Sequence, residues 1–194
     1  MAKERNYFPA FVRVSKAISS SLDLKEVLDL ILKNAIESIE LKAGAISLLN
    51  KSANRLEVIA HRNLSESYIN KGPVLADKSM PDAITAMRPA IVENVVDDSQ
   101  LQYPEAAASE GIGAILSLPI VYRDKLIGIL RLYNETPREF SYKEVEFLTA
   151  LAELGGIAIE NARAMQKVKK DHAKEMEDLW DWFRDVSGTS MLDG

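Results

Sequence analysis

LPIVYRDKLIGILRLYN, residues 118–134, sets two apolar runs on either side of Arg123-Asp124-Lys125. A sheet with one wet face alternates apolar and polar residues, and these runs scarcely alternate, so both of their faces must be covered. Together with the residues just before it, the stretch reads as a long hairpin, GAILSLPIVYR (113–123) turning into KLIGILRLYN (125–134), at the centre of a sheet. Ile120, Ile127, Ile129 and Leu130 are expected in the core.

Working outward, AGAISLLN (43–50) and RLEVIAHR (55–62) are separated by KSAN and read as a second hairpin. Before them, Asp23 and Glu26 mark a helix start, and Val27, Leu28, Ile31, Leu32, Ala35, Ile36 and Ile39 line one face of the helix that follows. Phe8, Phe11, Ile18 and Leu22, with Ser15 at the interrupted step, form the stripe of an earlier helix without an obvious core of its own. Between Leu64 and Gly113 the pattern weakens: Gly72-Pro73, Pro81, Pro89 and Pro104 punctuate short helical pieces, and AIVEN (90–94) is the one strand signal. This irregular stretch is expected to roof the sheet face opposite the helices. From Tyr142 a single helical pattern runs to about Val186, longer than a core of this size uses.

The 194 residues suit one domain with extended helices, and 47% apolar beside 27% charged residues is the balance of a globular chain. The absence of cysteine removes disulfides, thiolate metal sites and cysteine nucleophiles. A net charge of −5 argues against nucleic acid as a partner, and the run around Lys167, Lys169 and Lys170 reads as a solvated helix face. The first residues, broken by Arg13 and Lys16, do not read as a signal peptide, and no window approaches a membrane span. The expected location is the cytoplasm, without membrane or nucleic-acid contact.

SLPIVYRDKLIGILRLY followed by REFSYKEVEFLTALAELGGIAIENAR resembles the carboxy-terminal half of a GAF domain, the sensory module of bacterial signalling proteins and of cyclic-nucleotide phosphodiesterases. SLDLKEVLDLILKNAIESI and AGAISLLN resemble its amino-terminal part, so the likeness covers about residues 22–164. The resemblance implies an α+β fold: a central antiparallel sheet of about six strands, helices on one face, and an irregular roof over a ligand pocket on the other.

Subfamily markers narrow the ligand. Cyclic-nucleotide-binding members carry an Asn-Lys pair, a Phe and then an Asp-Glu pair; here Asn134 and Phe140 stand with Glu135 and Glu144-Val145, so the Lys-to-Asp ion pair cannot form and cyclic nucleotide is disfavoured. Asn134 is expected to turn the strand end. Covalent bilin attachment and the family's methionine-sulfoxide reductase chemistry both require cysteine. Haem needs an axial histidine, and His61 on a strand and His172 far along the last helix are poor candidates. No cofactor is therefore expected.

Candidate pocket residues are Asp98 and Tyr103 in the roof, and Ser117, Arg131 and Tyr133, which interrupt apolar strands. Arg131 and Tyr133 share a face by the period of two. These five either contact a ligand or face solvent and satisfy one another. An inward Arg131 would favour an anionic small molecule, since a buried guanidinium needs a partner. Glu93, Asp97 and Asp98 cluster at a strand end and could serve as acid and base or hold a divalent cation, yet they lie in a loop of turn formers with no histidine or serine partner. No catalytic set and no metal site is assigned. Gly111-Ile112-Gly113 precedes a strand and does not match a dinucleotide fingerprint.

In the last helix Ala158, Ala162, Met165, Lys169, His172, Met176, Leu179, Phe183 and Val186 alternate steps of four and three, a heptad seam weakened at Lys169 and His172. With Phe8, Phe11 and Ile18, the apolar seam residues Ala158, Ala162, Met165, Met176, Leu179 and Phe183 are the expected homodimer interface. The expected organisation is a dimerising helix at 1–21, the GAF domain at 22–164, a coiled-coil-like extension at 165–187 and a tail at 188–194. The leading expectation is a small-molecule-binding, non-enzymatic sensory domain that signals through its helices to an output protein. Its alternatives are a dimerisation scaffold with a closed pocket and a hydrolase using Glu93 and Asp98. Whether the chain is a stand-alone protein or a fragment stays open.

Overall fold

The computed structural model describes residues 6–21, 23–75, 78, 81–98 and 101–188, and only the backbone at 81, 82 and 183–188. Leu22 and the side chain of Phe183, both assigned above to apolar stripes, lie outside the described set. In chain order the elements are α1 (Phe8–Ser20), α2 (Leu24–Ile39), β1 (Ala43–Asn50), β2 (Arg55–Arg62), α3 (Glu66–Ile69) and β3 (Val74–Leu75). They continue with α4 (Pro81–Thr85), β4 (Ala90–Val92), α5 (Pro104–Ser109), β5 (Ala114–Tyr122), β6 (Lys125–Asn134) and α6 (Tyr142–Gly188). The strands form one sheet in the order β3-β2-β1-β6-β5-β4, antiparallel throughout.

The β5–β6 hairpin lies inside this sheet. Arg123 and Asp124 both take positive φ, 46° and 61°, as a two-residue turn of the hairpin-forming kind requires. Ile120, Ile129 and Leu130 are buried as expected, whereas Ile127, near the turn, is only half-buried. Gly128 explains the one small residue in the middle of β6: a Cβ there would stand 2.3 Å from the Ser47 carbonyl oxygen on β1. β3 escaped the sequence reading. Two residues behind Gly72-Pro73 have no period of their own, and they become a strand only by pairing with Arg55 and Leu56.

One face of the sheet carries helices. Asp23 caps α2 by accepting hydrogen bonds from the Lys25 and Glu26 backbone nitrogens at 2.8 and 3.4 Å. Its Leu28, Ile31 and Leu32 are fully buried, and Leu32 and Leu132 together fill the space on the helix face of Gly44 where a Cβ would stand. The first part of α6 buries Leu148, Leu151 and Ala152, and comes so close to β5 that a Cβ on Gly156 would stand 2.9 Å from the Val121 carbonyl oxygen. Ser141 and Glu144 start α6 as a capping box: each side chain accepts from the other's backbone nitrogen, at 3.3 and 2.9 Å. Arg138 pairs with the same Glu144 and donates to the Ile39 carbonyl at 2.9 Å, tying the end of α2 to the start of α6.

α1 packs on the domain through residues the sequence reading did not single out. Its buried residues are Ala10 and Val14, while Phe8 is 70% and Phe11 37% exposed and Ile18 is half-buried. Small side chains let α1 lie close on α2, where Arg13 donates twice to the buried Asn34 amide oxygen, at 2.8 and 3.2 Å. Tyr7 stacks on Phe147 of α6 with ring centroids 4.5 Å apart.

The chain divides into two compact units between Ala158 and Ile159. In the second, Val168, Met176, Leu179, Trp180 and Trp182 are all exposed, and Arg163 pairs with Glu160 at 2.5 Å. Of the expected seam, Ala158 is already buried within the chain, Ala162 and Met165 are half-buried, and Lys169, His172, Met176 and Leu179 are exposed. Among the described residues no helix is long and apolar enough to cross a membrane.

The glycines give a paired prediction. Gly128→Ala should destabilise the protein by about 1–3 kcal/mol, because the Ser47 backbone cannot yield without breaking the β1–β6 ladder. Gly155→Ala, whose Cβ would meet only the Ile31 side chain at an ordinary 3.6 Å, should be neutral or stabilising by up to about 1 kcal/mol through helix propensity. Urea denaturation of the two variants measures both signs.

Candidate functional site

The other face of the sheet is roofed by the irregular segment, and the packing beneath it is uneven. One apolar cluster gathers Ala43, Ala45, Ile115 and Tyr133 of the sheet with Tyr68, Val95, Ala107 and Ile112 above. A second joins Leu56, Leu126 and Ile129 to Ala83 of α4. Beside them a cleft opens over β1, β2 and β6, walled by Ala45, Ser47, Leu56, Val58, Ile129, Arg131 and Tyr133 below and by Leu64, Tyr68, Ile69, Lys71 and Val74 above. It contains about 370 Å³ of empty space including the solvent at its mouth, of which about 20 Å³ is wide enough to take the centre of a water molecule.

Arg131, Tyr133, Tyr68 and Lys71 converge there, with Ser47 also in the wall. Arg131 stands on the cleft face of β6, and its Nε donates to Ser117 Oγ at 3.1 Å across the β5–β6 pair. Ser117 is fully buried, which explains its place in an otherwise apolar strand: it holds the guanidinium from behind. Tyr133, two residues on, is buried and hydrogen-bonds through its hydroxyl to both Arg131 and Tyr68. The tyrosine rings meet edge to face at 5.6 Å. Ser65 caps α3 and accepts from the Tyr68 backbone nitrogen at 3.1 Å, which sets Tyr68 over the cleft. Lys71 folds back so that its Nζ lies 3.6 Å from the Tyr68 ring centroid and donates to the Tyr68 carbonyl at 2.9 Å.

Burial pushes both tyrosines above the ordinary phenol range, so both hydroxyls keep their protons. Lys71 moves the other way, down to about 8, first through burial and then through the positive charge of Arg131, with Glu110 opposing. Two cations thus share one partly desolvated cleft.

Side-chain hydrogen bonds add to these apolar clusters in fastening the roof. Glu110, at the end of α5, accepts from both the backbone nitrogen and the hydroxyl of Ser65, and Lys42 Nζ donates to the carbonyls of Glu110 and Gly111. Tyr103 donates to the Pro73 carbonyl at 2.8 Å, and Gln102 donates to the same oxygen while accepting from the Leu75 nitrogen at 3.0 Å.

Of the five residues picked from sequence, Arg131 and Tyr133 line the cleft, Ser117 lies behind Arg131, and Tyr103 fastens the roof from outside it. Asp98 is half-buried, just after the turn at 95–97, and is not among the cleft residues. Tyr68 and Lys71 were missed. The one available signal was Ser65 as a helix cap three residues before Tyr68, in a segment too short to show a period. Asp97 is engaged by the Asn94 amide at 2.6 Å and Glu93 is exposed; among the described residues no three His, Cys, Asp or Glu side chains are grouped to hold a metal. At the subfamily positions, Asn134 turns the strand end by donating to the Thr136 carbonyl at 2.8 Å, and Glu144 is paired by Arg138 in place of a lysine. His61 and His172 are both exposed.

Comparison with known proteins gives a consistent picture. A family model described as GAF domain matches residues 21–160. The formate hydrogenlyase transcriptional activator of Salmonella typhimurium is 21% identical over 176 residues, covering 88% of this chain and 25% of that protein. An uncharacterized sensor-like histidine kinase of Chloroflexus aurantiacus is 22% identical over 170 residues, covering 88% and 28%. The chain therefore spans about a quarter of the length of the curated relatives it matches. Among solved structures, the GAF domain of a Coxiella burnetii phosphoenolpyruvate-protein phosphotransferase superposes with a TM-score of 0.74 at 17% identity, over 84% of this chain and 97% of that one. The free methionine-R-sulfoxide reductase of Neisseria meningitidis, solved with its substrate, gives 0.69 at 14% identity, over 82% and 91%. At these identities the structures share the fold alone.

The electrostatics of the cleft generate a stability prediction. Because Lys71 titrates near 8 in the folded chain and near 10.5 unfolded, the unfolded state binds more protons between those values. The unfolding free energy of the wild type minus that of Lys71→Met should therefore rise with pH across that window and level off on either side. Denaturant unfolding at stepped pH checks it, and a flat difference would show that Lys71 is not held desolvated in the cleft beside Arg131.

Proposed function

The chain belongs to the GAF domain family, and from that premise we propose that it is a sensory module whose cleft binds a small molecule and whose terminal helices carry the response to an output protein. The observation that carries this reading is the convergence of Arg131, Tyr133, Tyr68 and Lys71 on one roofed cleft. A polar cluster of this kind is costly to build beneath a roof, and orienting a ligand is what such groups do in small-molecule sites. The curated relatives are a transcriptional activator and a sensor-like kinase, both regulatory by name. The coarser statement, a sensory or regulatory domain in signalling, is what family and relatives support directly.

In this proposal a ligand acts by binding one arrangement of the helices better than another. The path is short. Arg131 and Tyr133 face the cleft, while Leu130 before them and Leu132 between them point to the opposite face, where Leu132 and Leu32 of α2 close on the Gly44 backbone. α2 holds α1 through Asn34 and Arg13, and α1 holds α6 through Tyr7 and Phe147. The exposed Met176 and Leu179 of the second unit would pair with the same helix of a second copy, making a cytoplasmic homodimer that acts without chemistry of its own.

The narrowness of the cleft favours one other reading, a dimerisation scaffold with a closed pocket. Native mass spectrometry of gently purified protein separates the two. The sensory reading expects a dimer with a reproducible added mass that Arg131→Ala loses; a dimer of bare mass that responds to no metabolite would leave the scaffold. Exchanging Met176 and Leu179 for Glu should convert dimer to monomer while leaving the thermal midpoint of the first unit unchanged, and a persistent dimer would remove the seam from the proposal.

A further inference from the structure

Resting on the reading of the cleft as a ligand site, we propose that it holds a small oxyanion, a single carboxylate or tetrahedral oxyanion group, between the Arg131 guanidinium and the Lys71 ammonium. The two cations enter the cleft from opposite sides. Arg131 rises from the sheet floor, fixed by Ser117 and Tyr133, and Lys71 comes from the roof over the Tyr68 ring. Burial and mutual repulsion make this pair costly, and an anion placed between them repays both costs at once. A guanidinium presents donors in a planar fork that matches the paired oxygens of an oxyanion, and an ammonium adds donors without a fixed direction. The hydroxyls of Tyr68 and Tyr133 keep their protons and can donate as well. With so little of the cleft wide enough for a water centre, the group must be small.

Among the described residues the charges facing Lys71 are Arg131 on β6 and Glu110 at the end of α5; Tyr68 on α3 and Tyr133 on β6 face it as neutral phenols. Glu110 is engaged by Ser65, so it tempers the repulsion without occupying the cleft. Binding an oxyanion must then favour the charged amine. With Lys71 at about 8, affinity falls about tenfold between about pH 7 and about pH 9 as the ammonium is lost.

The test uses the full chain with acetate and sulfate, whose charges are constant over this range, and neutral acetamide of acetate's size. Isotope-labelled tyrosine and lysine resonances report on the cleft at both pH values, in the wild type, Lys71→Met and Arg131→Gln. Expected is saturable binding of at least one anion, about tenfold weaker at the higher pH. Arg131→Gln should lose binding, and Lys71→Met should bind weakly without the pH dependence. Stronger acetate identifies a carboxylate ligand, and stronger sulfate a phosphate-like group. If Arg131→Gln does not fold, the pH profile of Lys71→Met decides. Anion binding of equal strength at both pH values overturns the proposal. Acetamide binding as well as acetate overturns it while leaving the cleft as a ligand site. Silence from all three probes removes both.

Discussion

The burial of the β5–β6 hairpin on both faces is the constraint on which the rest of this structure depends. A strand pair that shows apolar residues in both directions can exist only if something covers each side. On one side the cover is regular: α2 and the first part of α6 bring apolar stripes to the sheet and approach as closely as the glycines permit. On the other it is the irregular stretch between β2 and β5, which meets the sheet in two small apolar clusters and leaves a cleft beside them. The cleft is thus a consequence of covering a hydrophobic sheet with chain that has no long element to lay across it.

That arrangement places the cleft and the helix packing on opposite sides of the same strand. β6 alternates, and the alternation sends Arg131 and Tyr133 toward the cleft and Leu130 and Leu132 toward the helices. Core packing is discrete, so a change on one face of a strand covered on both sides is not absorbed freely on the other. The polar contacts at the helix junctions add specific registers to this. Arg13 with Asn34, and Arg138 with Glu144 and the Ile39 carbonyl, each tie two elements at a single geometry. Their directional bonds fix how helices meet where apolar contact alone would permit sliding.

The roof is held differently. Glu110 to Ser65, Lys42 to two carbonyls, and Tyr103 and Gln102 to the Pro73 carbonyl are bonds across a part-exposed surface, each of which water can replace. Such attachments cost less to open than apolar core does, and regions of this kind supply the locally mobile parts of proteins. A firm floor carrying Arg131 and a roof carrying Lys71 divide the two cations between the stiffer and the looser halves of the site.

The sequence by itself determined the central hairpin, α2 with its Asp23 cap, the β1–β2 hairpin and the length of α6, because each is written in a period repeated over eight or more residues. It also placed Arg131 and Tyr133 on one face, since a strand's period of two requires it. What only the tertiary structure decided lies where no period is long enough to read. β3 is two residues made a strand by its neighbour; Tyr68 and Lys71 sit on and after a four-residue helix; and α1 turns Ala10 and Val14 inward in place of its larger phenylalanines. Ser117 looked like a wall residue and proved to be the support behind Arg131. A local pattern states which way a side chain points. Which distant side chain it meets there depends on how the whole chain closes, and the meeting of Lys71 with Arg131, sixty residues apart in sequence, is of that second kind.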